Sequence, residues 1–160
     1  MSKSAYKAQQ KSYSPYSNFR VGCVLLLKNG TLVQGANIEN ASYGATICAE
    51  RVAMCNKQIY FPGSQKEDDY EVTQVAIIGS SVDYITPCGI CRQFLRESLS
   101  LTTLITLFNY DGTKYKVTSL EQLLPERQEG GGNSEGGDDG DDDDDEKFTP
   151  KVIDLYFTDQ

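Results

Sequence analysis

The spacing of apolar residues divides most of the chain into short strands and helices. Two apolar runs, at residues 20–27 and 31–36, flank Asn29 and Gly30, a pair that favours a tight turn between antiparallel strands. Other apolar runs predict further strands, and apolar positions recurring every three or four residues predict helices. These strands lie at residues 72–78, 101–108 and 115–117, and the helices at residues 46–59, 87–98 and 119–124, preceded by a short polar helix at residues 4–11.

This order of elements is typical of an α/β fold, with a mixed sheet of five strands and helices packed on its faces. The sequence has no apolar run approaching the roughly 20 residues that a membrane-spanning helix needs. Residues 1–11 also lack the apolar core of a signal peptide. We therefore expect a cytoplasmic protein without a membrane partner.

The net charge of −8 is concentrated near the end of the chain. Residues 126–147 carry eleven acidic and two basic side chains, a local charge of −9 that leaves the rest near +1. Without a basic surface, nucleic acid is not an expected partner. The chain is therefore expected to divide into a folded domain at residues 1–125, an acidic, glycine-rich disordered insertion at 126–147, and an apolar segment at 148–160. We expect the last segment to dock on the domain or on a neighbouring subunit.

The chain contains five cysteines and no histidine, which narrows the possible chemistry. Catalytic pairs that need histidine are excluded, and any metal must be held by Cys, Asp or Glu. Without a secretory signal, free thiols are favoured over disulfides. We expect Cys23, in an apolar strand, and Cys55, in a helix, to be core thiols.

The remaining cysteines lie in two short segments, CAER at residues 48–51 and PCGICRQ at residues 87–93. Each segment lies at a predicted helix start, where free backbone N–H groups and the helix dipole stabilise a thiolate. Cys88 and Cys91, three residues apart, can face one centre. Cys48 can complete a set of three thiolates if the two helix starts lie side by side.

Three protein ligands and one open position are typical of catalytic zinc, whereas structural zinc sites usually have four protein ligands. Glu50 can face the open position without binding the metal, and can move protons between a water molecule and a substrate. Arg51 and Arg92 flank the ligands and could offset the excess thiolate charge by hydrogen bonding to sulfur. A C-x-x-C pair alone is more typical of a structural zinc or redox half-site, but the combined segments favour catalysis.

These segments resemble the zinc deaminases and, more narrowly, the small homotetrameric cytidine deaminases, over about residues 13–125. YSPYSNFRVG at residues 13–22 and GANIENASY at residues 35–43 are similar to two further motifs of that family. The resemblance implies a three-layer fold, with a mixed five-stranded sheet and helices on both faces, in a homotetramer. It also implies one Zn²⁺ per subunit, with Cys48, Cys88 and Cys91 as ligands and Glu50 as proton shuttle.

The resemblance assigns roles to other residues too. Phe19 would pack on the pyrimidine, Asn37 and Glu39 would hold sugar hydroxyls, and the backbone around Ala49 would read the base. Tyr43 would lie near a subunit boundary. Taken singly, Phe19 could instead be a core aromatic, and Asn37 and Glu39 could be turn and surface residues.

Two features depart from the family pattern. The opening helix is shorter, and the acidic stretch separates Leu123-Leu124-Pro125 from Phe148-Thr149-Pro150. We match Phe148 to a family phenylalanine that caps a neighbouring subunit's site. The acidic stretch alone could be a solubilising insert without a partner.

The sequence thus predicts hydrolytic deamination of cytidine and deoxycytidine in pyrimidine nucleoside salvage. Three alternatives stay open: a deaminase of another cytosine nucleoside such as blasticidin S, a non-catalytic zinc-binding interaction module, and an enzyme that edits polynucleotides. Glu50 argues against the module, since a structural zinc site has no use for an acid beside an open position. The acidic charge argues against editing, because it would repel phosphates.

Overall fold

The computed structural model of the protein describes residues 1–62 and 67–125. The predictions for residues 126–147 and 148–160, including the capping role of Phe148, lie outside the described residues. In chain order the helices and strands are α1 (Ser2–Gln9), β1 (Val21–Leu27), β2 (Leu32–Ala36), α2 (Ala49–Tyr60), β3 (Val72–Gly79), α3 (Gly89–Ser98), β4 (Leu104–Phe108), β5 (Tyr115–Ser119) and α4 (Leu120–Leu123).

The strands form a mixed five-stranded sheet in the order β2-β1-β3-β4-β5. β3 and β4 run parallel, while the other neighbouring strands are antiparallel. The predicted hairpin forms between β1 and β2, and Gly30 in its turn has a φ of 86°, which glycine adopts without a steric penalty. α3 connects β3 to β4 and supplies the crossover that a parallel pair requires.

Helices cover both faces of the sheet, as the predicted three-layer fold requires. On one face, Ala5 and Ala8 of α1 pack fully buried against side chains of β1 and β3. The opening helix therefore packs on the sheet through its alanines, despite its short length. On the other face, α2, α3 and α4 enclose the larger core, whose main members are Cys23, Leu25, Leu27, Ala53, Met54, Val75, Ile77, Leu95, Ile105, Leu107 and Leu120.

Two strand glycines allow helices to approach the sheet backbone closely. A Cβ on Gly35 of β2 would lie 2.3 Å from the Ala49 carbonyl oxygen in α2. A Cβ on Gly22 of β1 would lie 2.3 Å from the Ala5 carbonyl oxygen in α1. Any larger residue at Gly35 would therefore displace the first turn of α2, which carries the CAER segment.

The structure corrects two details of the sequence prediction. Cys23 is buried as expected, but Cys55 is exposed, so its assignment to the core was wrong. α2 turns Ala53 and Met54 toward the core, and the next residue in the helix is rotated by about 100° from Met54. α2 also begins at Ala49 rather than near residue 46, because Ile47 pairs with Ile38 in an isolated β-bridge.

None of the helices within residues 1–62 and 67–125 has both the length and the apolar character needed to cross a bilayer.

Candidate active site

Three cysteine sulfurs meet where α2 and α3 begin. Cys48 and Cys88 are the N-cap residues of these helices, with extended backbones, and Cys91 lies in the first turn of α3. The sulfurs of Cys48 and Cys88 are 4.0 Å apart, and all three lie within 4.8 Å of one another. The two helix starts therefore lie side by side, as a shared metal site requires.

The chemistry of this cluster suits zinc. Hydrogen bonding from Cys91, with a further contribution from Arg51, lowers the pKa of Cys48 to about 5. Hydrogen bonding to Cys48 and then burial raise the pKa of Cys91, so Cys48 is the thiolate of this pair and Cys91 keeps its proton in the absence of a cation. In the described part of the chain, no His, Asp, Glu or further Cys joins the three. Three thiols without a fourth protein donor fit a zinc ion that keeps one position open.

Arg51 supplies positive charge beside the cluster. Its Nη2 donates to the Thr46 carbonyl oxygen at 3.0 Å and lies 3.8 Å from the Cys48 sulfur. Its Nε is buried without a hydrogen-bond partner among the described residues. The guanidinium is thus anchored on the chain just before the ligand and directed at a sulfur, where its charge stabilises a thiolate.

Arg92 contacts different groups. Its Nε donates to the Pro87 carbonyl oxygen at 2.8 Å, Nη1 to the Leu123 carbonyl oxygen at 2.7 Å, and Nη2 to the Thr86 hydroxyl at 3.2 Å. These bonds connect the loop before α3 to the end of α4. Arg92 therefore organises the backbone that leads into Cys88. Within the described residues, the acceptors of its hydrogen bonds are oxygen atoms and not cysteine sulfurs.

Glu50 is a carboxyl group with little access to water beside the cysteine cluster. The residue is 4% exposed, and burial is the largest cause that raises its pKa, with the charge of Cys48 acting in the same direction. The charge of Glu50 in turn contributes to a raised pKa at Cys23, although burial is the main cause there. A carboxyl with a raised pKa next to a metal site is typical of groups that both accept and donate protons.

The segment with Asn37 and Glu39 lies directly beside the cysteine cluster. Ile38 exchanges two backbone hydrogen bonds with Ile47, at 2.9 and 3.0 Å, and Ile47 immediately precedes Cys48. On the other side, Tyr13 donates its N–H to the Asn37 carbonyl and accepts from the Glu39 N–H. Tertiary pairing therefore brings three distant stretches of the sequence to one site.

The Asn37 side chain is 8% exposed and is largely occupied by protein contacts. Its Oδ1 accepts from the Ser12 hydroxyl at 2.6 Å and from the Val21 N–H at 2.8 Å, which uses both lone pairs. Its Nδ2 donates one hydrogen to the Phe19 carbonyl oxygen at 2.9 Å. One amide hydrogen remains for a ligand, so Asn37 can act there as a donor only.

The Glu39 carboxylate, in a residue 6% exposed, is held by the turn that precedes β1. Its Oε2 accepts from the N–H groups of Tyr16 and Ser17, at 2.9 and 3.2 Å, and its Oε1 accepts from the Ser17 hydroxyl. A carboxylate has about four lone-pair positions, so one remains, on Oε1. Ser12 and Ser17 were not among the predicted site residues, and their only signal in the sequence is their position next to and within the YSPYSNFRVG motif.

Comparison with known proteins identifies the family. The model for the cytidine and deoxycytidylate deaminase zinc-binding region matches residues 1–106. The chain belongs to this deaminase family. It is 39% identical over 123 residues to the cytidine deaminase of Halalkalibacterium halodurans, a match that covers 77% of this chain and 87% of that protein.

Solved structures give the same result. The cytidine deaminase of Burkholderia pseudomallei superposes with a TM-score of 0.70 at 37% identity, covering 79% of this chain and 94% of that one. The Mycobacterium tuberculosis cytidine deaminase has a TM-score of 0.64 at 33% identity, covering 78% and 91%. These matches confirm the predicted fold class and the resemblance to cytidine deaminases.

In this deaminase, the remaining predicted residues within the described part of the chain are Phe19, Ala49 and Tyr43. Phe19 is 36% exposed, and its backbone groups bond the side chains of Asn37 and Ser17. Ala49 is fully buried, directly after Cys48. Tyr43 is 64% exposed, with its ring centroid 6.3 Å from that of Tyr16.

Proposed function

We propose that this chain catalyses the hydrolytic deamination of cytidine and deoxycytidine to uridine and deoxyuridine, with release of ammonia, in pyrimidine nucleoside salvage. The observation that carries the proposal is the group of three cysteine sulfurs within 4.8 Å, next to the buried carboxyl of Glu50. The relatives from Halalkalibacterium halodurans, Burkholderia pseudomallei and Mycobacterium tuberculosis are named cytidine deaminases. These comparisons do not favour the blasticidin S or zinc-module alternatives.

Cys48, Cys88 and Cys91 would hold the zinc ion, which supplies a Lewis acid able to activate water near neutral pH. Glu50 would take a proton from the attacking water and deliver it to the ring nitrogen N3. It would then move the second proton of that water, from the new hydroxyl on C4, to the departing amine as the C4–N bond breaks, so that cytidine and water become uridine and ammonia. The raised pKa of Glu50 suits this role, because the group must gain and lose a proton within one cycle.

Arg51 would offset part of the charge of three thiolates, since its Nη2 lies 3.8 Å from the Cys48 sulfur. Excess negative charge at the ligands would weaken the metal as a Lewis acid. Arg92 would serve the site indirectly, through the carbonyl groups that it holds before α3 and at the end of α4.

The sugar would be held by Asn37 and Glu39. The free amide hydrogen of Asn37 and the free lone pair of Glu39 complement a single hydroxyl, which can accept from one and donate to the other. Phe19 would offer its ring to the pyrimidine, and the backbone at Ala49 would bond the base. The short covalent path from Ala49 to Cys48 would keep the base next to the metal.

The proposal also includes a cytoplasmic location and a homotetramer in which Tyr43 lies at a subunit boundary. Residues 1–125 would form the catalytic domain. The exposed ring of Tyr43 is consistent with such a boundary.

Replacing Glu50 with glutamine tests the proposal. The Glu50→Gln variant should keep one zinc per chain and lose about 10²- to 10⁴-fold in kcat, because the amide cannot shuttle protons. Glu121→Gln is the matched control, since Glu121 is also an acidic residue in the first turn of a helix and is exposed. Turnover of cytidine, deoxycytidine and blasticidin S is followed by ultraviolet absorbance. Full activity of Glu50→Gln, or turnover of blasticidin S alone, would contradict the proposal.

A further inference from the structure

We propose that Ser17 is a positioning residue, which orients the Glu39 carboxylate toward one sugar hydroxyl and ties it to the backbone of Phe19. The inference rests on the proposed function, because it assumes that Glu39 binds the sugar of a nucleoside. It adds a residue to which neither the cysteine motifs nor the sugar-binding motif assigns a role.

The Ser17 side chain contacts both groups at once. Its hydroxyl donates to Glu39 Oε1 and accepts from the Phe19 N–H at 3.0 Å. A serine hydroxyl has a single hydrogen, so the bond to Glu39 uses its whole donor capacity. The Ser17 backbone N–H adds a second bond, to Glu39 Oε2 at 3.2 Å. Ser17 therefore donates hydrogen bonds to both oxygens of the Glu39 carboxylate.

These contacts determine which lone pair of Glu39 is available to a substrate. Oε2 already accepts from the N–H groups of Tyr16 and Ser17, whereas Oε1 accepts from the Ser17 hydroxyl alone. Without that hydroxyl, Oε1 would have two open positions, and the carboxylate would lose a contact that restrains its rotation. The hydroxyl thus restricts the acceptor for a sugar to one direction.

The same hydroxyl stabilises the charge on Glu39. Hydrogen bonding from Ser17 is the largest cause that lowers the pKa of this carboxyl, with the Tyr16 and Ser17 backbone N–H groups adding to it. An ionised acceptor forms a stronger bond with a hydroxyl than a neutral one. The Ser17 hydroxyl thus both favours the ionised form of Glu39 and orients its carboxylate toward the sugar.

Ser17 also closes the turn that presents Phe19. Asn18, between them, has a φ of 54°, in the left-handed region, and its N–H donates to the Ser14 carbonyl oxygen at 3.0 Å. The bond from the Phe19 N–H to the Ser17 hydroxyl spans this residue. One side chain therefore sets the position of the sugar acceptor relative to the ring that would pack on the base.

The test compares Ser17→Ala with Ser17→Thr on two substrates, cytidine and 2′,3′-dideoxycytidine, which lacks the ring hydroxyls. Ser17→Ala should lower kcat/KM about 10-fold more for cytidine than for the dideoxy substrate, as expected for a lost hydrogen bond to a charged group that only a ring hydroxyl contacts. Any loss through the turn at Phe19 should affect both substrates alike. Ser17→Thr, which keeps the hydroxyl, should restore the cytidine value.

Ser81→Ala is the matched control. The Ser81 hydroxyl accepts from the Asp83 N–H at 3.4 Å, in the same two-residue arrangement, but no carboxylate partner of it is found in the described residues. This variant should behave like the wild type on both substrates.

An equal loss on both substrates would show that Ser17 only supports the turn, and would overturn the inference. No loss with Ser17→Ala, or no rescue by Ser17→Thr, would overturn it too. If the wild-type protein does not deaminate cytidine, the proposed function itself is wrong and the inference fails with it. An active wild type with an unselective Ser17→Ala variant contradicts the Ser17 inference alone.

Discussion

Alanine at Gly35 would bring a methyl group into the backbone of α2. Its Cβ would lie 2.3 Å from both the Ala49 carbonyl oxygen and the Ala53 nitrogen, whereas ordinary van der Waals contact begins at 3.4 Å. Backbone atoms cannot rotate away from the new methyl group. The start of α2 must therefore move away from the sheet by about 1 Å, or β2 must bend by a similar distance.

This displacement has two consequences. Overpacking of this kind costs about 1–3 kcal/mol of folding free energy. Cys48 caps α2 and lies 4.0 Å from the Cys88 sulfur, so a shift of the helix start also separates the ligands. We expect kcat to fall about 100-fold, the loss typical of a misplacement near 1 Å. Zinc affinity should fall as well, because the atoms displaced belong to α2, whereas Cys88 and Cys91 lie on α3.

Gly22→Ala is the control for the steric change. Its Cβ would also come within 2.3 Å of a helix backbone, but that helix is α1, on the opposite face of the sheet. Urea unfolding should show a similar loss of stability in both variants. Competition with a coloured chelator should show weaker zinc binding for Gly35→Ala alone. Equal zinc loss in both variants, or wild-type affinity in Gly35→Ala, would refute the reasoning that the Gly35 contact positions Cys48.

Three further predictions concern the site and the cysteines. Arg51→Gln should lower zinc affinity about 10- to 100-fold, measured by the same chelator competition, because it removes the positive charge beside Cys48. In metal-free protein, the raised pKa of Glu50 means that its carboxyl holds a proton more tightly in the folded than in the unfolded state. The free energy of unfolding therefore falls as pH rises above the pKa that Glu50 has in the unfolded chain. Glu50→Gln should therefore be more stable than the wild type in urea at neutral pH without zinc, and this advantage should vanish at acid pH; an advantage that grows at acid pH would contradict it. In zinc-loaded protein, Cys55 should react with a thiol reagent while buried Cys23 does not, and Cys55→Ser should change stability by less than about 0.5 kcal/mol.

Part of the site could be predicted because local chemistry identifies it. The absence of histidine and the spacing of the two cysteine segments together restrict the metal ligands to a small set of side chains. Helix starts stabilise thiolates wherever the helices lie, so the positions of Cys48 and Cys88 were meaningful from their helical context alone. The strand and helix positions followed in the same way from short-range patterns of apolar residues.

The sharing of hydrogen bonds depends on tertiary contacts, and no sequence pattern predicts it. From its amide alone, Asn37 could donate and accept, but Ser12 and Val21 occupy its oxygen and leave only a donor. Likewise, nothing in the PCGICRQ segment at residues 87–93 indicated that Arg92 would donate to carbonyl groups rather than to sulfur.

The sequence by itself therefore determined most of the secondary structure, the choice of three cysteines as candidate metal ligands, and the family. Only the tertiary structure decided that Cys55 faces solvent, that Gly35 allows α2 to touch the sheet, and that Ser17 holds Glu39. The physical reason is one of range. Apolar spacing and helix-start chemistry act within a few residues, whereas burial and hydrogen-bond partners depend on segments that meet only when the sheet has formed.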